Sequence, residues 1–296
     1  MLLDKSINLE AHRMWSGTKV ICVIGDPIDH SLSPRMHNAA FKHLGLNYVY
    51  VPFRVLKADL KYAVRGIRAL NIRGFNVTIP HKVSIMKFLD EVDSTALKIG
   101  SVNTVVNEDG KLLGYNTDGL GFSEALREEG VNPEGKRVVL IGAGGASRAV
   151  SFYLAGMCSK LTILNRTRSR AVKLARELTS LGCKVYGKGL TTKSLEEELA
   201  DCDLLVNTTS VGMYPNVGES PVPRNFLRKD LVVFDIVYNP LETLLLSYAR
   251  EIGAKAVDGV GMLVNQGAIG FKMWTGVEAP KDVMRRAVIE SLQGSD

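Results

Sequence analysis

Two alternations of short apolar runs with amphipathic stretches divide the chain. In the first, Lys19–Ile24 (KVICVI), Asn47–Pro52 (NYVYVP) and Arg73–Ile79 read as strands. Helical periodicity covers Ala58–Leu70 and the stretch after Ser33, with Ser33 as N-cap, Pro34 at the first helical position and Gly45 as the stop. Strand, helix, strand, helix, strand predicts a parallel α/β sheet. Asn103–Asn107 and Lys111–Tyr115 flank the turn sequence NEDG and predict an antiparallel hairpin, and Gly119–Glu129 reads as a helix. A fresh α/β pattern starts at Arg137, with strands at Arg137–Ile141, Leu161–Asn165, Lys184–Tyr186, Leu204–Asn207, Leu231–Asp235 and Ala254–Val257. Helices intervene near 145–155, 168–181, 194–199 and 241–251, and two more, about 261–275 and 280–293, end the chain. Residues 1–18 show no clear period and read as an extension.

One place breaks the apolar pattern. In NVTIPHK (residues 76–82) polar Asn76 and Thr78 occupy strand positions, Pro80 stops the strand, and Lys82 opens what reads as a helix. A lysine there opposes the helix dipole and needs another reason.

The length of 296 residues fits two domains, and 46% apolar with 23% charged residues describes an ordinary globular chain. No apolar run approaches the roughly 18 residues of a membrane span. The opening MLLDKSINLE matches neither a signal peptide nor a transit peptide, so a cytoplasmic address is expected. The four cysteines show no C-x-x-C and no zinc spacing, and read as reduced thiols; no metal is expected. His30, His37, His43 and His81 lack metal-ligand spacing and read as surface or packing residues. The net charge of +6 is dispersed, which argues against nucleic acid and suits an anionic small molecule or a phosphorylated cofactor.

The run KRVVLIGAGGASRAVSFYLAG (136–156) carries a strand directly into Gly142, Ala143, Gly144, Gly145 and Ala146, with a helix following. This is the context of a dinucleotide-binding turn: Gly142 makes the turn, Gly144 admits a pyrophosphate, and the helix N-terminus offers free N–H groups. Ser147 replaces the third glycine. After the next strand an NAD site wants a carboxylate for the ribose hydroxyl. The chain has Asn165, Arg166, Thr167, Arg168, Ser169 and Arg170 instead, which favours the 2′-phosphate of NADP.

Further polar residues gather at predicted strand ends of the first half: Ser31 and Ser33 in HSLSP, Asn103 in GSVNTVV, and Asn116, Thr117 and Asp118 in GYNTDGLGF. Their hydroxyls and amides suit a polyhydroxylated ligand, and a carboxylate beside a lysine orients it as an acid/base pair. Each also has a plainer reading: Ser33 as a helix cap, Asn76 and Asn103 as loop ties, Asp118 as the N-cap of the helix from Gly119.

Taken in order, SLSP, NVTIPHK, GSVNT, GYNTDGLGF, GAGGASRA, NRT, NTTSVGM and DGVGMLVNQGA resemble the shikimate dehydrogenase family over about residues 19–290. The resemblance implies NADPH-dependent reduction of 3-dehydroshikimate to shikimate, with Lys82 and Asp118 as the catalytic pair. It implies substrate contacts from Ser31, Ser33, Thr78, Asn103, Tyr238 and Gln266 besides that pair. It places NADP on Gly142–Ala146 and Asn165–Arg170, with Ile236 and Gly259 flanking the nicotinamide. Ser101 stands where the family usually has alanine, and Arg168 is an additional cation. The implied architecture is a substrate domain of residues 19–117 and 260–296, closed by returning C-terminal helices, and a Rossmann domain of residues 118–259. A monomer or homodimer is expected; the alternative is a quinate/shikimate enzyme using NAD.

Overall fold

The structure is a computed structural model of the chain and describes residues 16–294. The extension expected over residues 1–18 lies outside the described residues as far as residue 15.

The strands form two six-stranded sheets. The first contains β1 (Lys19–Gly25), β2 (Tyr48–Arg54), β3 (Gly74–Val77), β4 (Glu91–Val92), β5 (Thr104–Glu108) and β6 (Lys111–Tyr115). Their order is β2-β1-β3-β5-β6-β4. β1 is parallel to β2 and β3, but β5 is antiparallel to β3 and to β6. The hairpin at NEDG therefore makes the sheet mixed, where the strand–helix alternation alone predicts a parallel one. Its helices are α1 (Ser33–His43), α2 (Leu60–Ala69) and α3 (Ser94–Ile99), while α4 (Asp118–Glu128) puts Phe122, Ala125 and Leu126 into a core shared with Val138, Leu140 and Phe234 of the second sheet.

The second sheet contains β7 (Arg137–Ile141), β8 (Lys160–Asn165), β9 (Lys184–Gly189), β10 (Leu204–Asn207), β11 (Val232–Asp235) and β12 (Lys255–Val257). Its order, β12-β11-β10-β7-β8-β9, is parallel throughout. Helices α5 (Gly145–Ala155), α6 (Arg168–Glu177), α7 (Thr192–Leu199) and α8 (Leu244–Glu251) intervene. Alternate residues of β7 enter different cores, Val138 and Leu140 on one face and Val139 and Ile141 on the other. Both faces are covered, which is why these strands read as unbroken apolar runs.

The last helices, α9 (Val260–Thr275) and α10 (Lys281–Leu292), pack on the first sheet rather than the second. Val264, Phe271, Trp274, Met284 and Val288 share one core with Ile21, Val23, Met36, Phe41 and Tyr50. Burying a large apolar side chain contributes about 1.5–3 kcal/mol each, so this cluster holds the chain end firmly. Trp274 Nε1 also donates to the Val105 carbonyl at 2.9 Å.

Three local expectations are corrected. Leu32, not Ser33, occupies the cap position of α1; Ser33 is its first residue and makes no capping bond. Asp118 is likewise the first helical residue of α4, with Thr117 at the cap position. Lys82 does not open an α-helix: the chain turns there and only a short 3-10 segment follows, Ser84–Phe88. In each case the polar side chain is left free for contacts across the fold.

Both sheets reverse strand order beside their first strand, β1 lying between β2 and β3, and β7 between β8 and β10. Open α/β sheets bind ligands at such reversals, outside the carboxyl ends of the strands. The loops there are 26–32 and 78–83 in the first sheet, and Gly142–Gly144 and the segment from Thr208 in the second.

Candidate active site

Lys82 and Asp118 meet between the sheets. Lys82 Nζ lies 2.5 Å from Asp118 Oδ2, with 15% and 7% of the two side chains exposed. The Lys82 backbone is fixed where its carbonyl accepts from Val102 N at 2.8 Å. The second carboxylate oxygen, Oδ1, accepts from Asn103 Nδ2 at 2.8 Å. That amide also lies 3.0 Å from Thr117 Oγ1 and 3.2 Å from Gln266 Oε1, while Asn103 Oδ1 accepts from Thr117 N at 2.7 Å. Gln266 reaches the group from α9, its Nε2 donating to the Leu263 carbonyl at 2.8 Å. Lys82, Asp118, Asn103 and Gln266 thus form one connected cluster from the turn after β3, α4, the residue just before β5, and α9.

Asn76 carries the cluster toward the serine loop. Its Nδ2 donates to the Asn103 carbonyl at 3.0 Å and to Thr104 Oγ1 at 3.1 Å. Its Oδ1 accepts from the Tyr50 hydroxyl at 2.7 Å. Burial first, then neighbouring Cys22, push that phenol well above the ordinary tyrosine range, and a Ser33 hydrogen bond opposes them. Ser33 N also donates to Ser31 Oγ at 3.4 Å. Tyr238 comes to the same loop from beyond β11; burial raises its phenol and the Leu32 backbone amide, bonded to it, works the other way. Thr78 lies over Gly25, where an added Cβ would meet Thr78 Cγ2 at 2.3 Å, so glycine is required for the two strand ends to approach.

Facing this cluster is the glycine-rich turn. Gly142 has φ +120°, a conformation that favours glycine, and a Cβ there would meet Thr208 Oγ1 at 2.6 Å and Ser147 Oγ at 2.8 Å. Ser147 does more than fill the place of a third glycine. Its hydroxyl accepts from Gly144 N at 2.9 Å and bonds Thr208 Oγ1 at 2.7 Å, while Thr208 Oγ1 donates to the Ile141 carbonyl. A side chain on Gly144 would meet nothing within 4 Å, so the turn is open on that side. Gly145 faces Lys82: an added Cβ would lie 2.9 Å from Lys82 Cβ. Asn165 Nδ2 donates to the Thr167 carbonyl at 3.0 Å and folds the β8–α6 turn, which exposes Arg166, Arg168, Ser169 and Arg170.

Ile236 and Gly259 are in contact, since a Cβ on Gly259 would lie 2.3 Å from the Ile236 carbonyl oxygen. Asp235 braces this corner, accepting from Asn207 Nδ2, Val237 N and Thr243 Oγ1 at 2.9, 3.0 and 2.8 Å. Burial pushes its carboxyl up to about 6, and the three donors hold it down.

Tyr50, Thr104 and Thr208 were not singled out from the sequence, although all join the network. Thr208 had a signal, in the NTTSVGM motif ending a strand beside the glycine turn; Tyr50 reads only as one more apolar strand residue. Of the histidines, His37 is buried against Tyr50 and Trp274, and His81 Nε2 lies 2.7 Å from the Val55 carbonyl. Among the described residues no cluster of His, Cys, Asp or Glu could hold a metal, and no helix is long and apolar enough to cross a membrane.

Comparison with known proteins agrees with this geometry. Residues 23–105 match the shikimate dehydrogenase substrate binding domain, 124–239 the shikimate/quinate 5-dehydrogenase family, and 259–289 the shikimate 5′-dehydrogenase C-terminal domain. A relative from Methanocaldococcus jannaschii named shikimate dehydrogenase (NADP+) is 51% identical, covering 93% of this chain and 98% of its own. One of the same name from Methanopyrus kandleri is 54% identical, covering 93% and 97%. A crystal structure of a shikimate dehydrogenase in complex with NADP+ is 50% identical, covers 94% of this chain and 97% of its own, and has a TM-score of 0.88. The chain belongs to the shikimate dehydrogenase family.

Proposed function

We propose that this protein catalyses the reversible NADPH-dependent reduction of 3-dehydroshikimate to shikimate. The observation that carries the reading is the Lys82–Asp118 pair, 2.5 Å apart and facing the glycine-rich turn across Gly145. The turn fits a dinucleotide: it is open at Gly144, leads into the N-terminus of α5, and is followed by cations with no carboxylate at the end of β8. Gly142–Ala146 would hold the pyrophosphate, Arg166, Arg168 and Arg170 with Asn165, Thr167 and Ser169 the 2′-phosphate end, and Ile236 and Gly259 the nicotinamide end. When bound, NADPH supplies the hydride that reduces the substrate carbonyl carbon.

The chain's own residues do the rest. Ser31 and Ser33, with Tyr238 beside them, take the substrate carboxylate. Thr78, Asn103 and Gln266 take ring hydroxyls. Lys82 gives its proton to the carbonyl oxygen as negative charge develops there, and an ammonium beside a forming oxyanion favours the transition state over the ground state. Asp118 orients Lys82 and balances its charge, and Asn103 holds Asp118. The substrate side comprises residues 19–117 and 260–296 and the cofactor side residues 118–259. The enzyme acts in the cytoplasm as a monomer or homodimer, which light scattering distinguishes.

The test is oxidation of shikimate and of quinate, each with NADP and with NAD. Shikimate with NADP is expected to turn over fastest; faster turnover of quinate with NAD would overturn the proposal.

A further inference from the structure

The short segment between α3 and β5 touches both the turn that carries Lys82 and helix α5. At its start the Ile99 carbonyl accepts from Arg148 Nε of α5 at 2.7 Å. At its end Val102 N donates to the Lys82 carbonyl. Between them Ser101 is fully buried. Its hydroxyl donates to the Gly145 carbonyl at 3.2 Å, in the first turn of the phosphate-facing helix. The same oxygen accepts from Asn116 Nδ2 at 2.9 Å, and that amide also donates to the Ser101 carbonyl at 2.9 Å. Asn116 Oδ1 in turn accepts from Asp118 N at 3.1 Å. An unbroken chain of hydrogen bonds therefore runs from the Asp118 backbone through Asn116 and Ser101 to Gly145.

We propose that Ser101 is a positioning residue that sets helix α5 against the Lys82–Asp118 pair, and so couples occupancy of the dinucleotide site to occupancy of the substrate site. The chemistry suits this role. Gly145 precedes Ala146 in the helix turn assigned to the pyrophosphate, so an anion that draws this turn in pulls on the Gly145–Ser101 bond. Asp118 lies at the far end of the chain and touches Lys82 directly. Arg148 also joins α5 to the first half of the molecule, but it grips the end of α3 and not the loop at Asn116 that leads into Asp118. Among the described hydrogen bonds, Ser101 supplies the link between that loop and the helix. The inference rests on the functional reading above, because it takes Lys82, Asp118 and the glycine turn in the roles assigned there.

Ser101→Ala removes the hydroxyl and leaves the Asn116 bond to the Ser101 carbonyl. Two measurements test it. NADPH affinity is read by fluorescence with and without saturating shikimate, a pair that cannot react because both are already reduced. Turnover of shikimate with NADP is read alongside, with the unfolding midpoint as a control. In wild type, bound shikimate is expected to tighten NADPH. In the variant that tightening and kcat fall by roughly threefold to tenfold, the worth of one net hydrogen bond. The separate affinities for NADPH and shikimate stay within about twofold, since neither ligand is assigned a bond to Ser101. Unchanged coupling and kcat in the variant would overturn the inference, as would the absence of coupling in wild type or a loss confined to NADPH binding alone. Wild-type enzyme inert toward shikimate would instead overturn the functional reading, and this inference with it.

Discussion

Lys82 reaches Asp118 because β3 ends at Val77 and the chain turns through Pro80 instead of continuing as a helix, which frees the lysine from a helix face. In the proposed mechanism, removing the ammonium takes away a proton donor, a contribution typically worth a hundredfold to ten-thousandfold. Lys82→Ala is expected to lose turnover of shikimate by roughly that factor while keeping NADPH affinity by fluorescence within about threefold. Near-normal kcat would remove Lys82 from the mechanism. A second residue governs stability rather than chemistry. His37 is fully buried, its ring stacked on Tyr50 at 4.5 Å between centroids, and neither ring nitrogen has a hydrogen-bond partner among the described residues. Burial lowers its pKa to about 3 from 6.5. The unfolded chain therefore binds a proton below pH 6.5 that the folded chain refuses until about pH 3. Stability is fully present above pH 6.5 and is lost as the pH falls from there toward 3. Asp235, raised to about 6, acts in the opposite sense and offsets the loss between about pH 6 and 3.8. Comparing wild type with His37→Phe isolates the histidine. The wild-type stability relative to the variant should fall by about 1.4 kcal/mol per pH unit below 6.5 in denaturant titrations. A pH-independent difference between the two would mean that His37 takes up its proton in the fold.

Helix α4 shows how elements, rather than residues, hold the site together. Glycines give it close contact on two sides. A Cβ on Gly119 would meet the Tyr153 ring of α5 at 2.3 Å, and one on Gly121 would meet Gln266 Cβ and N of α9 at 2.7 Å. Gly121→Ala must therefore push α9 away and carry Gln266 off Asn103. Overpacking of this kind typically costs about 1–3 kcal/mol, so a lower unfolding midpoint and a raised KM for shikimate are expected together. An unchanged KM would mean that Gln266 does not depend on this contact. The elements themselves were legible to different degrees. The strands of the second sheet and α5 follow from unbroken apolar runs meeting a glycine turn. Residues Ser94–Ile99 and Glu91–Val92 were not foreseen as α3 and β4, because six and two residues are too few to show a period. Ser33 and Asp118 carry the composition of caps, and only the fold shows that Leu32 and Thr117 stand in the cap positions. The bond from Asn103 to Gln266 spans 163 residues, a separation that no spacing in the chain encodes. Here the family resemblance, not periodicity, put both residues in one substrate site, and the bond between them is seen only in the fold.

At the scale of the whole molecule, charge separates the two ligands. The chain carries a net charge of +6, and the β8–α6 turn adds a local concentration through Arg166, Arg168 and Arg170, none of which is in an ion pair among the described residues. The substrate carboxylate, by contrast, is assigned to Ser31, Ser33 and Tyr238, which are neutral. Screening should therefore act unequally on them, because exposed charges lose most of their interaction beyond a Debye length of about 10 Å at 0.1 M salt. The KM for NADPH is expected to rise as salt goes from about 0.02 to 0.5 M, while the KM for shikimate changes little. The double substitution Arg166→Ala with Arg170→Ala should flatten the NADPH response. Losing charge-assisted bonds worth about 1.5–3 kcal/mol should raise its KM by roughly tenfold to a hundredfold and leave the weaker use of NADH nearly unchanged. Equal losses with NADPH and NADH would mean that these arginines hold the parts the two cofactors share, and that the 2′-phosphate is recognised elsewhere.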